Sequence, residues 1–127
     1  MSSPAKAVVA VIDDDNRLLE SLEDLLESAG YTVRLFATAE QFLDTAALDV
    51  DCVISDVGMQ GVDGFALQQT IRNLQPTLPV ILITGRHAFA AAEYEAARGG
   101  RPLFEKPFDR QELLAAIASE LRASSGP

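Results

Sequence analysis

VVAVIDDDN, residues 8–16, runs five apolar residues directly into three consecutive aspartates. A segment that is apolar at every position is covered on both faces, which marks a central strand of a parallel sheet. Its acidic end is costly: like charges about 4 Å apart, at an effective dielectric of about 20, repel by roughly 4 kcal/mol per pair. Either the acids form a solvated turn in which Asn16 caps the following helix, or a positive group sits among them.

Downstream of this stretch the same unit recurs. A strand over 7–12 leads to Leu18, Leu19, Leu22, Leu25, Leu26 and Ala29 at helical spacing, and Gly30 stops that helix. Residues 31–36 alternate as a strand, and Thr38 with Gln41 forms a capping box for a helix to about 48. A third strand over 51–55 is followed by the glycine-rich loop VGMQGVDG, in which Asp63-Gly64 reads as a turn and helix start. A helix over 65–74 stops before Pro76, and an apolar strand follows at 79–83. An alanine-rich fourth helix over 89–98 ends at Gly99-Gly100, and a short fifth strand takes up 102–105. Asp109 with Glu112 then opens a fifth helix to about 121. Strands and helices in strict alternation predict an α/β fold, a doubly wound parallel sheet with helices on both faces.

The bulk numbers agree with a domain of this kind. A chain of 127 residues, 48% hydrophobic, suits one compact core and excludes disorder. The expected division is a tail over 1–6, a domain over 7–122 and a tail or linker stub over 123–127. No apolar run reaches the roughly 20 residues of a membrane span, and the first residues lack a secretion signal, so a cytoplasmic location is expected. Cys52 is the sole cysteine, which excludes an internal disulfide and a thiolate zinc cluster, and its apolar setting makes it a small core residue. A formal charge of −9 disfavours direct nucleic-acid binding, which needs clustered Lys and Arg. His87 is the only histidine, so no histidine metal pair can form.

In doubly wound sheets, ligands bind at the carboxyl edge where the winding reverses. There the strands deliver Asp13, Asp14 and Asp15, then Asp56, Thr84 and Lys106. Three or more carboxylates together call for a hard cation with oxygen ligands, such as Mg²⁺. A hydroxyl and an ammonium beside them suit a phosphoryl group, and a lone carboxylate in that setting can be the nucleophile that carries it.

At this point the chain resembles a known family, the receiver domains of two-component response regulators. The resemblance rests on IDDD after the first strand, ISDVGMQGVDG around Asp56, ILITGR at the fourth strand and FEKPF around Lys106, in that order. It implies a three-layer, flavodoxin-like (βα)5 sandwich with strand order 2-1-3-4-5. It also implies a signalling phosphoacceptor in which Asp56 is phosphorylated by a sensor histidine kinase or a histidine phosphotransfer protein, with Mg²⁺ or Mn²⁺ as cofactor. By the same resemblance, Asp14, Asp56 and the Gly58 backbone carbonyl bind the metal, and Asp13 holds metal-bound water. Thr84 and Lys106 contact the phosphoryl group, and the Lys106-Pro107 peptide is a cis candidate. The domain would catalyse transfer onto its own carboxylate and later hydrolysis. Its output to a target protein or an output domain, and any dimer interface, would use the face made by the fourth helix, fifth strand and fifth helix.

Three departures accompany the resemblance. Gln60 stands where the family commonly has proline. Gly58 and Arg86 occupy the positions, two past Asp56 and two past Thr84, that influence dephosphorylation. Leu103 stands where an aromatic ring commonly relays the switch, with Phe104 one step along and so directed to the opposite face, toward the core. Three other readings compete: an Asp-x-Asp phosphatase with Asp13 as nucleophile and Asp15 as acid, a flavodoxin-like cofactor binder, and a receiver-like module kept for protein contact without phosphorylation.

Overall fold

The computed structural model describes residues 7–45, 50–56, 64–75, 77–84, 103–105 and 108–125. The elements are β1 (Val8–Ile12), α1 (Asn16–Ser28), β2 (Thr32–Phe36), α2 (Ala39–Thr45), β3 (Cys52–Asp56), α3 (Gly64–Leu74), β4 (Val80–Thr84), β5 (Leu103–Glu105) and a last helix, Arg110–Ser125. The helix expected over 89–98, the loop over 57–63 and Pro76 lie outside the described residues.

All four strand pairings are parallel and the order is β2-β1-β3-β4-β5, the order that the resemblance implies. The winding therefore reverses beside β1. Alternation along each strand divides the core in two. Ala10, Ile12, Val53, Val80 and Leu82 face one side, where Phe42 of α2 and Ile71 of α3 cover them. Val9, Val11, Cys52, Ile54, Ile81 and Ile83 face the other, covered by Leu19, Leu22 and Leu26 of α1 and by Leu113 and Ile117 of the last helix. This is why β1, β3 and β4 read as unbroken apolar runs: every residue has a helix above it or below it. Phe104 and Phe108 meet edge to face with centroids 6.4 Å apart and pack against the second cluster, so Phe104 takes the core-facing role expected of it.

Local chemistry sets the helix ends. Gly30, at φ 98°, lets α1 close in a Schellman motif, with the Tyr31 N–H donating to the Leu26 carbonyl at 3.0 Å and the Gly30 N–H to that of Glu27 at 3.0 Å. The cap at the start of α1 is Asp15 and not Asn16, because the Asp15 carboxylate accepts from the Arg17 and Leu18 amides while Asn16 is already in the first turn. At α2 the expected box closes in a shifted form. The Gln41 N–H donates to Thr38 Oγ1 at 3.0 Å, and Gln41 Oε1 accepts from the Ala37 amide, one residue before the cap. Asp109 caps the last helix through the Gln111 and Glu112 amides at 2.8 and 3.1 Å. That helix runs to Ser125, beyond the expected end near 121, because nothing in RASS breaks it before Gly126. Among the described residues, no helix is long and apolar enough to cross a membrane.

Candidate functional site

The sheet register gathers the site. Ile12 pairs with Ser55, so Asp13 falls level with Asp56, the last residue of β3. Asp56 pairs with Ile83, and Thr84 lies one step further out, opposite Glu105. The carboxyl rim is thus a shallow staircase that rises from the aspartates toward β5, each step about 3.3 Å. Alternation sets Asp56 on the face of Cys52 and Ile54, the side that α1 covers.

A carboxylate oxygen from each of Asp13, Asp14 and Asp56 lies within 4.8 Å of the others. Asp13 is fully buried and Asp56 is 7% exposed, while Asp14 is open to solvent. The Asp13 N–H donates to the Phe36 carbonyl of the neighbouring strand at 3.1 Å, and Asp13 Oδ1 accepts from the Asp15 N–H at 2.9 Å. The strand before Asp56 is buried along its whole length, which holds that carboxylate on a rigid base. The donor set is all oxygen, drawn from two strands, with an exposed member that leaves coordination positions open to water. That set fits a small hard cation of the Mg²⁺ class, which binds through a few carboxylates and keeps several waters.

The expected acids divide in this geometry. Asp13, Asp14 and Asp56 come together, whereas Asp15 is occupied as the helix cap. Thr84 takes its place at the end of β4, and Leu103 and Phe104 pair with Leu82 and Ile83. Gly58, Arg86, Lys106 and Pro107 lie outside the described residues, as do Asp63 and His87. Two polar residues at the two ends of the β3 segment carry no site role expected from the sequence. Ser55, fully buried, donates its hydroxyl to the Asp56 carbonyl at 3.4 Å, and its signal was a lone polar residue in an apolar strand. Asp51 stands at the opposite end of β3, where its carboxylate accepts from the Val8 amide at 2.7 Å, so it belongs to the ladder and not to the acid cluster.

A five-stranded parallel sheet of this order, with buried aspartates at its switch point, defines the flavodoxin-like class of domains that bear an acidic pocket. The chain belongs to the response regulator receiver domain family, whose model matches residues 9–118. It is 39% identical over 118 residues to the transcriptional regulatory protein FixJ of Bradyrhizobium diazoefficiens, covering 92% of this chain and 58% of that protein. To the response regulator protein TodT of Pseudomonas putida it is 35% identical over 121 residues, covering 94% and 53%. The chain thus spans little more than half the length of these relatives. Among solved structures, full-length FixJ from B. japonicum superposes with a TM-score of 0.82 at 39% identity, over 96% of this chain and 61% of that one. A receiver domain protein from Clostridium thermocellum superposes at 0.80 with 27% identity, over 92% and 95%. The chain therefore carries a receiver domain of the two-component response regulator type.

Proposed function

We propose that Asp56 accepts a phosphoryl group from a phosphohistidine on a sensor histidine kinase or a histidine phosphotransfer protein, and that the domain then switches an output domain or target protein. The observation that carries this is the convergence of Asp13, Asp14 and Asp56 from two strands within 4.8 Å. Asp14, Asp56 and the Gly58 carbonyl would hold Mg²⁺ or Mn²⁺, with Asp13 acting through bound water. The ion, when present, supplies positive charge that offsets the acid cluster and orients phosphoryl oxygens. An Asp56 carboxylate oxygen attacks phosphorus in line, and the O–P bond forms as the P–N bond to the imidazole breaks. The Thr84 hydroxyl and the Lys106 ammonium are the donors assigned to the phosphoryl oxygens, where charge builds in the transition state. Attack by water on phosphorus later returns the carboxylate, at a rate set in part by what positions 58 and 86 present.

The Asp-x-Asp phosphatase reading loses support from the same geometry. Its acid, Asp15, commits Oδ1 to two helix amides, and its nucleophile, Asp13, is fully buried with one oxygen already accepting a backbone N–H. We place the functional domain at 7–122 and its location in the cytoplasm, where sensor kinases present their phosphohistidines. The face of the fourth helix, fifth strand and fifth helix is the proposed output and dimer surface.

Incubation with a small acyl phosphate and Mg²⁺, read by intact mass, tests the assignment. Wild type gains about 80 Da, one phosphoryl group, and Asp56→Asn gains nothing. An equal adduct on both proteins, or none on wild type, overturns it.

A further inference from the structure

Asp15 makes three backbone connections at once. Its N–H donates to Asp13 Oδ1 at 2.9 Å, its carboxylate accepts from the Arg17 and Leu18 amides at 3.0 and 3.4 Å, and its carbonyl accepts the Leu19 N–H at 3.0 Å. It holds extended angles, φ −94° and ψ 106°, the conformation of an N-cap. The residue thus ties the first turn of α1 to one oxygen of a fully buried member of the acid cluster. Its own carboxylate accepts from the first-turn amides and is absent from the group of three that converge.

We propose that Asp15 is a positioning residue for the metal pocket, acting through its cap and not through its charge. This inference rests on the reading of Asp13, Asp14 and Asp56 as the metal site. With the cap in place, the start of α1 is ordered, the 13–15 turn keeps its shape, and the Asp15 amide keeps Asp13 in one rotamer. With the cap lost, the first turn frays and Asp13 must be ordered when the ion binds, which weakens binding. The coupling is reciprocal, so ion binding in turn slows exchange of the Arg17 and Leu18 amides.

Three variants separate cap from charge and from general loss of stability. Asp15→Ala removes both cap and charge. Asp15→Asn removes the charge and keeps a cap of equal rank. Asp109→Ala removes a comparable cap on the last helix, which contributes no carboxylate to the acid cluster. Mg²⁺ affinity is read by calorimetry, and amide exchange at residues 17 and 18 by NMR. Asp15→Ala is expected to weaken Mg²⁺ binding about three- to tenfold, below the roughly 10–100-fold of deleting an outer-shell partner outright, because the backbone N–H survives. Asp15→Asn is expected to stay within about twofold of wild type, and Asp109→Ala to leave affinity unchanged. Wild-type affinity in Asp15→Ala, equal weakening in Asp15→Asn, or equal weakening in Asp109→Ala overturns the inference while leaving the metal site intact. Absence of saturable Mg²⁺ binding by wild type overturns the metal site and the inference together.

Discussion

Neutralising Asp13 is expected to stabilise the metal-free domain. Asp13 and Asp56 are both buried and present carboxylate oxygens no more than 4.8 Å apart. At that distance and an effective dielectric of about 20, two full charges repel by about 3.5 kcal/mol. Neighbouring dipoles and the partial exposure of the rim reduce this, and a net gain of about 1–2 kcal/mol is expected for Asp13→Asn. Asparagine keeps an oxygen for the Asp15 N–H, so the turn and the helix start survive the change. The assay is urea denaturation in EDTA followed by circular dichroism. With a slope of about 1–1.5 kcal/mol per molar, the midpoint rises by about 1 M. Repetition in excess Mg²⁺ should invert the ranking. Wild type at 100 times its dissociation constant gains about 2.7 kcal/mol, a gain the variant largely lacks. A variant midpoint at or below that of wild type in EDTA would refute the claim that the acid cluster stores repulsion.

Two further outcomes follow from local structure. Gly30→Ala is expected to cost about 1–2 kcal/mol in the same denaturation assay, since a Cβ there meets nothing within 4 Å and the penalty is that of the left-handed backbone alone. An unchanged midpoint would show that α1 ends without the Schellman closure. The Cys52 thiol is pushed up to about 12, first by burial and then by the charge of Glu120, so it should resist alkylation at pH 8 in the folded chain and react in urea. Because the folded value lies above the unfolded one near 9, the thiol's contribution to stability is complete below pH 9 and is lost as the pH rises toward 12. Rapid native-state labelling at pH 8 would contradict that placement.

The doubly wound parallel sheet and the convergence of acids were legible because they depend on features that sequence carries directly, whereas the strand order is what the family resemblance implies. Val9, Val11, Ala10 and Ile12 are apolar whichever face they take, and only a sheet covered on both sides permits that. Asp13 and Asp56 each end such a run, so a parallel register brings them level. Which donor claims which acceptor is not carried by the local pattern. In a stretch of three aspartates and an asparagine, composition alone does not tell a cap from a ligand, and the extended backbone of Asp15 decides it. The reach of Gln41 to Ala37 depends likewise on side-chain length against the local turn. Asp51 reads only as the start of a strand, since its bond to Val8 spans 43 residues and leaves no trace in local pattern.

That distant bond has a consequence for how the domain can vary. β1 is fastened at its beginning, where Asp51 both donates its amide to and accepts from Val8, and again just past its end, where the Asp13 amide meets Phe36. A segment pinned at both extremities behaves as a gauge of fixed length. One residue added or removed between the two pins cannot be absorbed by sliding, because each step of a strand turns its side chain to the opposite face. Such a change would either unfasten one end or swing Asp13 away from Asp56. The spacing from Val8 to Asp13 is thereby a dimension of the pocket itself, set about 17 Å from the carboxylates it serves, at about 3.3 Å for each residue.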